Sequence, residues 1–184
     1  MVDISHQFEY KVAALAAWVV LAAGLVAVVS AAEDPVVSGP DDWWITYPDQ
    51  SPANGSEVNH PDWVLEALLV KPVLIYAHRE CDYCVPQTEA INELLDEYED
   101  EIEFYEISAD GNDERIEEAF EAYDPDGGTP NVPLTVIITL VPGEDGKAEV
   151  AWQSTEKVTG KEWIEKRIEG AIEYHEENVG DWDA

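Results

Sequence analysis

Basic residues are scarce in this 184-residue chain, which has 9 Lys+Arg against 41 Asp+Glu and a formal charge of −32. That scarcity excludes nucleic-acid binding through a basic surface, because phosphate recognition rests on Lys and Arg. Cysteine is nearly absent too: there are 2 in all, and none near the end of the one long apolar run, which excludes a lipoprotein anchor there. Apolar residues, by contrast, make up 46 % of the chain and include 7 Trp, with 8 Tyr besides. An acidic disordered tail would be far poorer in both. The length suits one globular unit with an appendage rather than two domains, each of which would be near the lower limit for a stable core.

The acids are spread along the chain rather than bunched in one loop, which favours a solvated surface over a cation-binding one. In composition the chain resembles proteins of extreme halophiles, where molar salt shortens the Debye length to about 3 Å and screens carboxylate repulsion.

Residues 12–29 form an uncharged run of 18, extended through Ser30, Ala31 and Ala32. At 1.5 Å per residue, residues 12–32 reach about 30 Å as a helix, enough to cross a bilayer core. Lys11 lies just before the run, while Glu33, Asp34, Asp41 and Asp42 follow it and no base appears until Lys71. The positive-inside rule then predicts a cytoplasmic stretch over residues 1–11, a transmembrane anchor over 12–32 and an extracytoplasmic remainder. A cleaved signal peptide is the alternative, with Val29-Ser30-Ala31 and Ser30-Ala31-Ala32 both offering small residues for a peptidase, although signal apolar regions are usually shorter. Either way the remainder is exported.

Residues 33–60 read as an acidic linker rich in Pro, Gly, Ser and Asn, with one aromatic stretch, residues 43–47, that can dock as an outer strand. Asn54, in Asn54-Gly55-Ser56, fits the N-glycosylation sequon, and a plain turn explains it equally well. From residue 61 the hydrophobic period divides the chain cleanly. A short helix is predicted over 61–70, with Pro61 in its first turn, then a fully apolar strand over 72–77. A helix over about 81–98 carries Cys84, Thr88, Ile91, Leu95 and Tyr98 on one face. A strand follows at 102–107, a helix on Ile116, Ala119, Phe120 and Tyr123, a strand at 134–141, and a hairpin partner at 148–153. The last helix opens on Thr159-Gly160-Lys161-Glu162, which has the form of a capping box, and turns Ile164, Ile168, Ala171, Ile172 and His175 inward. The tail beyond about residue 179 is expected to fray. Two crossovers and a hairpin give an α/β fold, a mixed central sheet with helices on both faces.

Both cysteines fall in Cys81-Asp82-Tyr83-Cys84, where the first strand runs into its helix. Two thiols three apart can close a disulfide, and a helix amino terminus stabilises a thiolate on the first. A structural disulfide normally restrains a longer loop, so this spacing favours a redox dithiol.

These residues, with Lys71-Pro72-Val73-Leu74-Ile75-Tyr76 before them and Val132-Pro133 ahead of the third strand, resemble the thioredoxin superfamily over about residues 62–172. The resemblance implies a thioredoxin-like fold over residues 61–179 and thiol–disulfide oxidoreductase activity without a cofactor. It implies a cis Pro133, which with Val132 and Tyr83 shapes a substrate groove. Cys81 would attack and Cys84 would resolve the mixed disulfide, with exported protein thiols or disulfides as substrates and a further redox partner recycling the pair. Arg79 and His78 would favour the Cys81 thiolate, while Glu80 and Asp82 would oppose it. The chain departs from thioredoxins proper, which have Trp before the first Cys and Gly-Pro between the pair. The family's buried Asp aligns with Ile75, so that proton acceptor is missing.

Two other functions stay open on sequence alone. His78, Cys81 and Cys84 form a His-x-x-Cys-x-x-Cys string with ligands suited to copper(I) or zinc. A redox-inert domain presenting the Pro133 groove is the other, against which the intact cysteine pair argues. Asp124-Pro125-Asp126-Gly127-Gly128 lacks the later ligands of a calcium loop and reads as a turn. His6 and His60 have no evident partners.

Overall fold

The computed structural model describes residues 42–143 and 146–183. The chain divides into two compact units, Met1–Glu33 and Asp34–Ala184. The first unit, and with it the run over residues 12–32 expected to anchor the chain, lies outside the described residues. Among the described residues no helix is long and apolar enough to cross a membrane.

The second unit runs α1 (Asp62–Leu68), β1 (Val73–His78), α2 (Val85–Tyr98), β2 (Glu103–Ser108), α3 (Arg115–Tyr123), β3 (Leu134–Pro142), β4 (Ala148–Thr155) and α4 (Lys161–Asn178), closed by a 3₁₀ turn over Val179–Asp181. The sheet order is β2-β1-β3-β4, with β1 parallel to β2 and antiparallel to β3, and β3 antiparallel to β4. It is an α/β fold on a mixed sheet. β1 and β3 are central and almost wholly buried, which is why both read as continuous apolar runs rather than alternating ones.

Alternate residues of β1 serve opposite faces. Val73, Ile75 and Ala77 pack with α1 and α3, around Val64, Leu68, Ala119 and Tyr123. Leu74 and Tyr76 pack with α2 and α4, around Ile91, Leu94, Ile164 and Ile168. β3 carries two buried hydroxyls on this second face, Thr135 and Thr139, and each is bonded to a helix residue: Thr139 donates to the Ala171 carbonyl at 2.7 Å, and Thr135 accepts from Gln87.

Several expectations are corrected. One parallel crossover exists, not two: the segment 124–133 returns the chain to the end of the sheet where β2 stops, so β3 starts beside Ala77 and runs antiparallel. α2 begins at Val85, because residues 81–84 form a separate turn, and its buried face is Gln87, Ile91, Leu94 and Tyr98, with Leu95 half-buried. Pro61 is the N-cap of α1 rather than part of its first turn, and Leu69 is 52 % exposed. The capping box does not form. The N-cap of α4 is Gly160, which has no side chain to cap with, and Thr159 stands one residue ahead of it, bonded to Gln87. Residues 43–47 dock on β4 by a single bridge rather than as a strand, Trp44 and Trp152 exchanging backbone hydrogen bonds of 3.0 and 2.9 Å. Trp43 and Trp44 then enter opposite faces of the core. Val179 and Trp182 pack against the first cluster.

Candidate dithiol site

β1 ends at His78, and the chain turns through Cys81–Cys84 before α2, the Cys84 amide donating to the Cys81 carbonyl at 2.9 Å. Cys84 is the N-cap of α2, whose first turn carries a proline and so gives up an amide that would have had no partner there. The two sulfurs lie 2.8 Å apart as free thiols. Cys81 is half-buried, whereas Cys84 is 1 % exposed.

This geometry separates the two titrations. The hydrogen bond from Cys84 holds the Cys81 thiol below its usual range, helped by the backbone amides of Cys84 and Tyr83 and by the Arg79 charge, against some desolvation. Burial pushes Cys84 up, and its hydrogen bond to Cys81 adds to that shift. An accessible thiol that ionises more readily beside a buried one that ionises less readily is the division of labour that stepwise exchange needs.

The surrounding residues follow the expectation only in part. Arg79 acts in the expected sense and stands 3.9 Å from Asp110. His78 is not among the causes of either thiol's shift: its Nε2 is 2.9 Å from Glu106 Oε1 on β2, and its ring stacks on Tyr76 at 4.7 Å between centroids. Glu80 and Asp82 are exposed and are not among the causes of either thiol's shift. A hollow of about 470 Å³ adjoins the pair, lined by His78, Arg79, Glu80, Asp82, Thr88 and Glu89 beside the cysteines. Val85, which also lines it, is 48 % exposed, and Tyr83 in the turn is 61 % exposed, apolar surface open to solvent.

The Val132-Pro133 peptide bond is cis. The register pairs Ala77 with Leu134, so Pro133 sits at the end of β1 from which the Cys81–Cys84 turn departs. Pro133 is buried and Val132 half-buried. The loop ahead of them is held by Glu156, which accepts from the Asn131 amide at 2.9 Å.

His78, Cys81 and Cys84 are not brought together as ligands. Among the described residues the one group of three whose donor atoms lie within 4.8 Å of one another is Asp124, Asp126 and Glu156. Asp124 is there the core of a turn, its Oδ1 accepting the Asp126 and Gly127 amides at 2.9 and 2.8 Å, and Gly127 takes φ +64°. Asn54 is exposed in a turn, its amide donating to the Ser51 carbonyl at 3.0 Å.

Four residues of the site escaped the sequence reasoning. Tyr76 and Thr88 join through their hydroxyls at 2.8 Å, and both reach the Cys84 carbonyl at 3.2 Å. Gln87 and Thr135 lie fully buried beside them. The signal was present: a glutamine three residues after Cys84 falls in step with Ile91 and Leu94, at a position that otherwise takes an apolar residue. His60 also has a partner, Tyr123, whose hydroxyl is 3.0 Å from its Nδ1. No protein-family model and no curated protein matches the chain.

Proposed function

We propose that the chain is a thioredoxin-like thiol–disulfide oxidoreductase that exchanges disulfides with exported proteins, from a membrane anchor over residues 12–32. The observation that carries this is the dithiol itself: two sulfurs 2.8 Å apart, the accessible one with a lowered pKa and the buried one with a raised pKa. The position of Val132-Pro133 at the end of β1 from which the Cys81–Cys84 turn departs agrees with the family resemblance.

In the reductive direction the Cys81 thiolate attacks one sulfur of a substrate disulfide. A mixed disulfide forms and the other substrate sulfur leaves as a thiolate. The Cys84 thiol loses its proton and attacks the Cys81 sulfur, releasing the second substrate thiolate and closing the Cys81–Cys84 disulfide. Two electrons pass to the substrate, and a second thiol partner must restore the pair. Oxidation of substrate dithiols is the same sequence reversed. No carboxylate stands at Ile75, which is buried among apolar residues, so the Cys84 proton leaves through polar groups other than the family's buried Asp. Tyr83 and Val85 on one side and Val132, beside the buried Pro133, on the other offer the apolar contacts for an extended substrate segment.

Cys81→Ser should abolish turnover, and Cys84→Ser should accumulate mixed disulfides with substrate proteins, seen as mass shifts reversed by dithiothreitol. Equilibration of the wild-type pair with glutathione, scored by alkylation, should give one reversible two-electron transition. A pair that never equilibrates, or a Cys84→Ser variant that traps nothing, overturns the proposal.

A further inference from the structure

Gln87 has no exposed surface, yet it is polar and sits on the first turn of α2. Its Nε2 donates to Thr135 Oγ1 at 2.9 Å and to Thr159 Oγ1 at 3.2 Å, and its Oε1 accepts the Thr159 amide at 2.8 Å. Three separate segments meet in this one side chain: the helix that carries Cys84, the strand two residues after cis Pro133, and the lead-in to α4. A buried amide is tolerated only when it is satisfied: the bond to Thr135 is buried, where a lost partner costs most, and those to the half-buried Thr159 are partly so.

A second observation is independent of Gln87's own burial. Thr159 stands in a local pattern suited to capping α4, but α4 begins without a side-chain cap. The N-cap position falls to Gly160, and Thr159, one residue ahead of it, bonds Gln87 through both its amide and its hydroxyl. The local pattern goes unused where the long-range bond forms, which marks a place where tertiary geometry outranks a local rule.

We propose that Gln87 is a positioning residue: it clamps the amino-terminal end of α2 to the start of β3 and so fixes the gap between the Cys81–Cys84 turn and the Val132-Pro133 edge. This rests on the oxidoreductase reading above. A peptide disulfide must lie along that edge while Cys81 reaches its sulfur, so both banks of the groove have to hold one distance. Misplacement by about 1 Å costs reactions of this kind up to about 100-fold. A small disulfide needs only the sulfurs of Cys81 and Cys84 and no second bank.

The test compares the full-length wild type with Gln87→Leu, which keeps the volume and removes every bond. Thr135→Val and Thr159→Val each remove part of the clamp. Rates are measured with a peptide disulfide and with a small aromatic disulfide, together with the glutathione equilibrium and the melting temperature. The expected result is a loss of about tenfold in kcat/KM for the peptide, mostly in KM. The small disulfide and the glutathione equilibrium should change less than twofold. If Gln87→Leu does not fold, Thr135→Val and Thr159→Val must show the same split. Equal losses on both substrates in step with melting temperature, or no loss on either, overturn the clamp and leave the oxidoreductase reading standing. A wild-type pair that never equilibrates with glutathione overturns the reading beneath it and the clamp's purpose with it.

Discussion

His60 lies against the Tyr123 hydroxyl, and burial alone drives its pKa from 6.5 down to about 4. In the unfolded chain the same imidazole binds its proton near pH 6.5. Between pH 6.5 and 4 the unfolded state therefore holds a proton that the folded state refuses, so stability falls as pH drops through that window and levels off below it. At about 1.4 kcal/mol per pH unit, the His60 contribution to that fall by pH 4.5 is roughly 2–3 kcal/mol. Urea unfolding at pH 7, 5.5 and 4.5 should show this fall in the wild type and a shallower one in His60→Gln. Parallel curves would refute the assignment. The thiols illustrate the same control by burial, since Cys81 and Cys84 share one turn and differ in exposure and in the direction of the hydrogen bond between them.

Among the elements, the short segment around Trp44 is the least expected contributor to the core. It forms no strand, yet the Trp44 ring packs edge-on against Trp152 at 5.0 Å and only 3 % of Trp44 is exposed. Truncating a buried tryptophan costs about 3–5 kcal/mol. Trp44→Ala should lower unfolding stability by that order in urea titration, and a loss under about 1 kcal/mol would reduce the segment to a tether. The elements themselves were largely legible because β1 and β3 are continuous apolar runs and the helices are periodic. Their junctions were less so. α2 starts after the Cys84–Cys81 backbone turn, which hydrophobic period does not register, and the residue ahead of the α4 cap bonds a glutamine 72 residues away, which no local pattern can show.

For the molecule as a whole, the charge of −32 decides how stability responds to salt. Among the described residues the ion pairs are mostly exposed, as with Lys147 and Asp183 at 3.3 Å or Arg79 and Asp110 at 3.9 Å. Such pairs are worth about 0–1 kcal/mol each, and salt weakens them. Screening the mutual repulsion of the acids acts in the opposite direction and involves many more groups. The net sign is thus stabilising. Raising sodium chloride from 0.1 to 2 M should lift the melting temperature on the order of 10 °C, which at 2–4 °C per kcal/mol corresponds to a few kcal/mol. A flat or falling melting temperature across that range would refute the dominance of repulsion.

By itself the sequence determined the properties that are sums or local periods: the acidity, the order of strands and helices after residue 61, and the placing of two thiols where a strand meets a helix. These need no knowledge of what lies across the core. Only the tertiary structure decided that β3 runs antiparallel, that His78 turns to Glu106, that His60 finds Tyr123, and that Gln87 joins Thr135 to Thr159. Each of those depends on which residues distant in sequence are brought within hydrogen-bonding reach. Burial then makes the pairing consequential, because a polar group removed from water must find its partner inside the fold.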